Sequence, residues 1–498
     1  MKYISICKTV ICLAFCCFTN IVFSQTLHLR ANAASTLWLQ KSGVFTSESS
    51  SVPVEKWLDL RQKQIQYAEN NGYPFASIRL DSLSGDSTDL YAKVIFTEGN
   101  YIVFDTMTIV GNLNIHTKFL AAWLQIGKGK PFSQQRINEL PNRIAQLPYI
   151  RLNGSPEIIF HNNRAFVRLL LDTKPANQAD GLIGFLPNEE KTGSLTLTGQ
   201  LSLKLHNLFK RGKTLNLDWQ RIRKSTQTLN INYAHPFGWK NAPLELQTQL
   251  YLLREDSAFF SRMWSVKTIY SLTAQQKTGL VLKSSNSFLQ SGRPMVQGAP
   301  VATAKFFSYG LFYEINTTND LYYPRKGWKM SLEFSGGNKT QRIDAINNKP
   351  LTQLTTHFQA EKYVLLNKKN VLMLRLDGAD IYSKQLYINE LYRVGGLRSL
   401  RGFNENRFFA ARYGVGTLEH RFFFEENSFL FAFYEQGWLQ YKAVGGNFDA
   451  KPLGVGVGLS FTTKGGVFAL SYALGHVSKT ETLSFNNAKI HFGYVGRF

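Results

Sequence analysis

The residues best suited to chemistry in this 498-residue chain stand in one short run, GGLRSLRGFNENRF, from Gly395 to Phe408. It presents Arg398, Arg401 and Arg407 among glycines and aromatics, an odd composition for a plain surface loop. A guanidinium is a planar, permanently charged fork that suits carboxylates, so the chemistry on offer is ionic recognition rather than catalysis. The sequence has no zinc-ligand spacing, no phosphate loop and no nucleophile elbow, and its nine histidines are scattered. No catalytic residue, metal site or cofactor is expected, and the chain does not read as an enzyme.

What positions such a run depends on the elements around it. Residues 1–24 read as a secretory signal peptide. Lys2 and Lys8 precede an apolar stretch from Val10 to Phe18, and Val22-Phe23-Ser24 suits cleavage before Gln25. A membrane anchor is the alternative, but the run is short for a span and is broken at Thr19-Asn20. Lipidation at Cys16 or Cys17 is another, against which Phe15 stands where a small residue is wanted. All four cysteines, Cys7, Cys12, Cys16 and Cys17, fall inside this signal, so the exported chain is expected to have no disulfide. Stability must then come from a large core or a closed sheet. The net charge of +23 suits anionic lipid head groups or acidic surface polymers, with no nucleic-acid partner expected for an exported protein.

Two grammars follow. From Gln25 to about Pro175 helix and strand patterns mix. VPVEKWLDLRQKQIQYAEN (Val52 to Asn70) has mostly helical spacing and ends at Asn71-Gly72, and two strand-like segments follow around Ser84-Gly85-Asp86. From Tyr101 the order is strand, helix, helix, strand, strand, with Pro141 expected to kink or interrupt the second helix. The first unit, 25–100, repeats the later part of that order, and 101–175 makes the second of a tandem α+β pair. After Pro175 the alternation has period two. In SLTLTGQLSLKLH (Ser194 to His206) the leucines oppose polar residues, and in Leu453–Phe461 they and the valines oppose Gly454, Gly456 and Gly458. Residues 176–498 thus hold 15 or 16 strands with one apolar and one polar face. Stacked sandwiches should recur at about 100 residues and none do. The remaining reading is an all-β, antiparallel transmembrane barrel of about 16 strands around a polar interior. The last strand, AKIHFGYVGRF, ends on the aromatic Phe498.

The chain resembles the BamA/TamA superfamily of outer-membrane insertases and translocators, which join periplasmic POTRA domains to a 16-stranded barrel. Resemblance covers nearly all of it beyond residue 24. TMTIVGN (Thr106–Asn112) is similar to an opening POTRA strand, while NLFKRGKTLNL (Asn207–Leu217), YAHPFG (Tyr233–Gly238) and YYPRKGWKMSLEF (Tyr322–Phe334) are similar to barrel signatures. Arg401-Gly402-Phe403 matches the family's Arg-Gly-Phe tip on the long loop between strands 11 and 12, about residues 383–412 in this chain. The resemblance implies that this loop folds into the lumen. Its arginine would pair with wall carboxylates, by position Glu419 in GTLEHRFFF and Glu435 in FAFYEQG. Glu435 departs from the family's usual Asp and shares a face with Phe431 and Phe433, an imperfect fit to a polar lumen. Gly402 would permit the tight tip and Phe403 anchor it. Arg398 and Arg407 read as loop surface.

By the same resemblance the protein sits in the bacterial outer membrane with its N-terminal units in the periplasm. It would insert or translocate β-rich clients, binding them through the POTRA units and working through the barrel seam. That seam is expected at Gly181, Gly184 and Phe498, where a short, glycine-bearing first strand would make a weak junction. Expected partners are outer-membrane lipid, unfolded barrel or secreted clients, and accessory lipoproteins or other periplasmic proteins. Two rivals stay open: a two-partner-secretion translocator for one dedicated substrate, and a passive channel or surface antigen.

Overall fold

The structure, a computed structural model, describes residues 26–31, 33–41, 49–187, 195–221, 226–239, 242–256, 258–290, 295–342, 350–463, 466–477 and 488–497. The expected signal segment with its four cysteines, and Phe498, lie outside the described residues. The chain divides into two compact units. One takes in the described residues up to Thr106, with Lys128–Asn138 and Ile158–Val167; the other holds Met107–Gly127, Glu139–Glu157 and Arg168–Phe498.

The first unit opens with β1 (Thr26–Ala31), α1 (Ala33–Lys41), β2 (Ser49–Pro53), α2 (Val54–Asn70), β3 (Ser77–Gly85) and β4 (Asp89–Thr97). Its sheet runs β2-β1-β4-β3, with β1 parallel to β4. Alternate residues Leu27, Leu29 and Ala31 of β1 are buried with Trp57 of α2 and Ala92 and Val94 of β4. This corrects the expectation that the unit holds only the later part of the strand–helix–helix–strand–strand order. The extra elements escape periodicity because β1 is six residues long and α1 lacks an amphipathic stripe.

The next elements are β5 (Val103–Val110), α3 (Thr117–Trp123), α4 (Gln134–Ala145), β6 (Ile150–Leu152), β7 (Glu157–His161) and β8 (Arg164–Thr173). They build a sheet ordered β5-β8-β6 with β7 on β8. Pro141 does not break α4. Pro141 removes one ladder donor, but Leu140 and Ile144, both fully buried, keep that helix face fastened.

The second half is one antiparallel sheet. It starts with β9 (Gln178–Pro187), β10 (Leu195–Leu208), β11 (Lys213–Arg221), β12 (Gln227–Trp239) and β13 (Ala242–Glu255). Next come β14 (Phe259–Ser271), β15 (Gln276–Leu289), a small hairpin of β16 (Met295–Val296) and β17 (Ala299–Pro300), and β18 (Thr303–Asn316). Then follow β19 (Gly327–Arg342), β20 (Leu351–Leu365) and β21 (Asn370–Ser383). The loop after β21 carries a 3-10 turn (Ile388–Glu390) and a two-stranded ribbon, β22 (Tyr392–Val394) and β23 (Phe408–Ala410). The sheet resumes with β24 (Arg412–Glu425), β25 (Ser428–Ala443), β26 (Gly446–Ala450), β27 (Pro452–Thr462), β28 (Gly466–Val477) and β29 (Lys489–Arg497). Apart from the β16–β17 hairpin and the β22–β23 ribbon, the strands pair in chain order, with β26 and β27 both on β25, and β29 returns to β9, so the order closes into a barrel.

Period-two patterning explains the two faces. Leu280, Leu282, Phe307, Tyr309, Leu311, Leu374, Leu376, Leu430, Tyr434 and Trp438 are exposed on the outside, an apolar face carried by strand after strand. Inward-facing Ser265, Ser308, Ser335, Lys339, Gln341, Gln353 and Thr417 are buried. The expected polar interior holds only in part. Along β25, Phe429, Phe433, Leu439 and Tyr441 are buried on the inside together with Glu435. They fit because β27 places glycines opposite: Phe431 pairs with Gly458, Phe433 with Gly456 and Glu435 with Gly454. A Cβ at Gly458 would lie 2.2 Å from the Phe431 ring and one at Gly456 2.6 Å from that of Phe433.

Gly456→Ala should therefore lower barrel stability by about 1–3 kcal/mol, an overpacking cost. Gly493→Ala, whose Cβ meets nothing within 4 Å, should be close to neutral. The temperature at which the heat-modifiable gel shift of the folded barrel disappears, compared between the two variants, checks this.

Candidate functional site: the loop tip inside the barrel

The loop between β21 and β24 turns back on itself through three left-handed glycines, Gly395 (φ 123°), Gly396 (φ 101°) and Gly402 (φ 89°). The Gly395 N–H donates to Ser399 Oγ at 2.8 Å, and Gly396 and Leu400 exchange backbone bonds of 3.0 and 3.1 Å. This tight coil delivers Arg401 to the wall made by β24 and β25. Both carboxylates sit on the inward face there because they keep parity with buried neighbours: Glu419 with Val415, Thr417 and Phe423, and Glu435 with Phe433 and Leu439.

Arg401 is almost fully used. Its Nη1 donates to Glu419 Oε2 at 2.7 Å. Nε and Nη2 both reach Glu435 Oε1, at 2.8 and 2.7 Å, and the Arg401 backbone N–H donates to Glu435 Oε2 at 2.6 Å. One carboxylate, Glu435, thus holds side chain and backbone of the same arginine. Thr417 Oγ1 adds a long contact of 3.4 Å to Glu435 Oε1. The guanidinium also lies 3.5 Å from the centroid of Phe433 and 5.9 Å from that of Phe431. The aromatics on the Glu435 face thus stack on the cation, which accounts for the imperfect parity seen in the sequence.

Burial makes the pairing obligatory. Arg401, Glu419 and Glu435 are 8, 4 and 4 % exposed. Arg421, two residues along the same face, donates from Nε to Glu419 Oε1 at 2.8 Å and brings the cluster to two positive and two negative charges. Arg421 was a missed member; its i+2 spacing from Glu419 is a signal the sequence does contain.

The rest of the tip is held by close backbone approach. A Cβ at Gly402 would fall 2.6 Å from Leu474 O, one at Gly475 2.5 Å from Gly402 O, and one at Gly454 2.3 Å from Arg401 O. Gly454 on β27 and Gly475 on β28 therefore open the wall for the tip, and only the barrel register reveals them. Phe403 packs with Val394, Leu400, Ala410, Val415 and Leu439, and its ring meets Phe408 edge-on at 5.0 Å. Arg407 is half-buried over the Phe403 and Phe408 rings, 5.9 and 5.7 Å away, rather than plain loop surface. Arg398 stays exposed, with Asp218 at 4.0 Å.

The seam residues are placed differently. Gly181 and Gly184 lie in β9 opposite Leu201 and Thr198 of β10. The β9–β29 pairing instead uses Gln178, Ala179 and Asp180, opposite Arg497, Gly496 and Val495. β9 is ten residues long, which corrects the expectation of a short first strand: its length is matched by β10, while β29 meets only its first residues. Among the described residues no group of three His, Cys, Asp or Glu side chains is placed to hold a metal ion.

Arg401→Ala leaves the buried Glu435 without its cation and Glu419 with Arg421 alone, and should cost about 3–5 kcal/mol, where Arg398→Ala costs under about 1 kcal/mol. Arg401→Lys should recover less than half of the loss, because one ammonium cannot reproduce the fork. Chemical denaturation of the barrel in detergent, read as the shift in transition midpoint, measures all three.

Residues 207–498 match the Omp85 superfamily domain. No curated protein sequence matches the chain. Among solved structures, CdiB from Acinetobacter baumannii is similar over 94 % of this chain and 89 % of its own, at 14 % identity and a TM-score of 0.61. CdiB from Escherichia coli is similar over 97 and 91 %, at 13 % identity and a TM-score of 0.59. BamA from Haemophilus ducreyi lacking POTRA domains 1–3 is similar over 94 and 98 %, at 15 % identity and a TM-score of 0.48. Identities this low speak for the fold alone. The superfamily match, in contrast, spans more than half of the chain and takes in the loop tip together with β24 and β25, which follow it: the chain belongs to the Omp85 superfamily.

Proposed function

We propose that this chain spans the outer membrane as a barrel of sixteen strands, counting β26 and β27 as one because both pair with β25. In this reading the two α/β units are periplasmic POTRA domains, and the protein inserts or translocates β-rich clients. The apolar outer belt supports placement in lipid, and the unsupported edges β2 and β3 of the first sheet are the places where an extended client could add a strand.

The observation that carries the insertion reading is the uneven pairing around the ring. The β9–β29 junction has three residue pairs among the described residues, where β28–β29 has eight and β9–β10 has ten. With the fewest ladder bonds to break, this junction opens at lower cost than its neighbours. An incoming strand could then pair with the unoccupied edge of β9 from Gly181 to Pro187. A translocator for one substrate remains the second reading. It uses the bore rather than the seam, and that difference decides the test.

The cysteines of the chain all fall at or before Cys17, so a pair introduced at Ala179 and Gly496, directly opposite in register, can be oxidised cleanly. With the seam locked, insertion of outer-membrane clients should stop and should resume on reduction. Unchanged client insertion with a complete disulfide would overturn the insertion reading. Depletion of the protein should lower many outer-membrane proteins; loss of a single exported substrate would favour the translocator, and altered permeability alone a passive channel.

A further inference from the structure

The loop that carries Arg401 has a second set of attachments near its start, on walls several strands away from β24 and β25. Glu390, in the 3-10 turn, places Oε1 2.9 Å from Lys339 Nζ of β19. Its Oε2 accepts from Gln341 Nε2 at 2.6 Å and from the Tyr387 N–H at 2.9 Å. Lys339 Nζ also donates to Gln385 O at 2.6 Å, and the Lys339 side chain is 0 % exposed. Four residues C-terminal to Asn389, Arg393 meets Glu255 at the end of β13 with Nη1 2.5 Å from Oε2. Those side chains are 11 and 8 % exposed, and the guanidinium lies 4.8 Å from the Phe409 centroid. Asn389 Nδ2 adds bonds of 2.8 Å to Ser287 Oγ and 2.9 Å to Ala302 O.

These contacts have alternating sign. The wall is positive at Lys339 and negative at Glu255, and the loop answers with negative Glu390 and positive Arg393. Sliding the loop by its three-residue spacing would bring like charges together in a dry site, a penalty of several kcal/mol. The pairs therefore fix the position of the loop as well as holding it. Beneath them Leu386, Ile388 and Leu391 pack in one cluster with Leu253, Phe259, Val301 and Tyr441, so the base of the loop is seated on apolar contacts from several strands.

We propose that Lys339 and Glu255 are positioning residues that anchor the base of this loop independently of Arg401, making it a bar fixed at both ends across the bore. Releasing the tip alone does not clear the bore; the base must be released as well. The consequence for conductance rests on the membrane-spanning reading given above, whereas the anchoring itself does not.

Trypsin cleavage after Arg393, followed by mass spectrometry on the full chain in detergent, separates the two. Arg401→Ala should leave the initial cleavage rate within about twofold of the original protein, and adding Lys339→Met and Glu255→Gln should raise it about tenfold or more. Equal cleavage in the single and triple variants would overturn the proposal. Lys339→Glu should expose Arg393, and Glu390→Lys on that background should restore protection; no rescue, with Lys339→Arg retaining full protection, also counts against it. In planar bilayers the triple variant should open frequently and Arg401→Ala rarely. If the triple variant conducts no more than Arg401→Ala, the loop is not what closes the bore, and the cleavage rates still decide on the anchors.

Discussion

A guanidinium inside a barrel cannot be left to itself. Moving a charge out of water costs several kcal/mol even after relaxation, and only a matched carboxylate with good geometry returns it. Arg401 meets that condition with two carboxylates, three side-chain nitrogens and its own backbone N–H. Everything else about the tip follows from the need to bring that one group to that one place: the left-handed glycines that coil the approach, the wall glycines that let the backbone touch, and Arg421 that balances the second carboxylate. A buried pair of this kind adds little net stability over an apolar substitute, but it rejects every neighbouring register, because displacement leaves charges stranded.

Around that pair the barrel behaves more like a soluble core than a water-filled tube. Phe429, Phe431 and Phe433 run up the inner face of β25, and Gly454, Gly456 and Gly458 run along β27 beside them. Large residues on one strand against none on the next is a packing solution, and it also prepares the flat ring on which Arg401 lies. The aromatic ladder thus does two jobs: it fills the space beside the wall and lowers the cost of the cation held there.

Local patterning made the strands legible. A period of two is a property of each segment alone, so leucines against polar residues in Ser194–His206 or Leu372–Asp377 mark faces without any knowledge of neighbours. Arg401, Glu419 and Glu435 were reachable because a short motif fixes the loop and the following strands fix the distance to the wall. What was not legible depends on register. Gly454 and Gly475 look like ordinary strand glycines until the tip is laid over them, and Gly181 and Gly184 look like seam residues until β29 is seen to meet β9 at Gln178 to Asp180 instead. The inside-facing phenylalanines misled for a related reason, since alternation identifies two faces but not which of them is wet. In the first α/β unit, β1 is too short for a periodic signal, and its parallel partner β4 lies some sixty residues away.

Placing the tip on the ring leaves one strand apart. Arg401 binds Glu419 of β24 and Glu435 of β25, its carbonyl rests at Gly454 of β27, and Gly402 lies against Leu474 and Gly475 of β28. A single coil of chain thus touches every wall strand from β24 to β28 except the short β26. β29 is the next strand, and among the described residues it is joined to β28 by eight residue pairs but to β9 by three. Bracing stops one strand before the weakest junction. The opening proposed above would leave every buried charge and aromatic contact of the tip in place, since the tip makes none with β29 among the described residues. The ionic cluster thus ties the tip to β24, β25, β27 and β28, and leaves the β28–β29 and β29–β9 pairings outside its contacts.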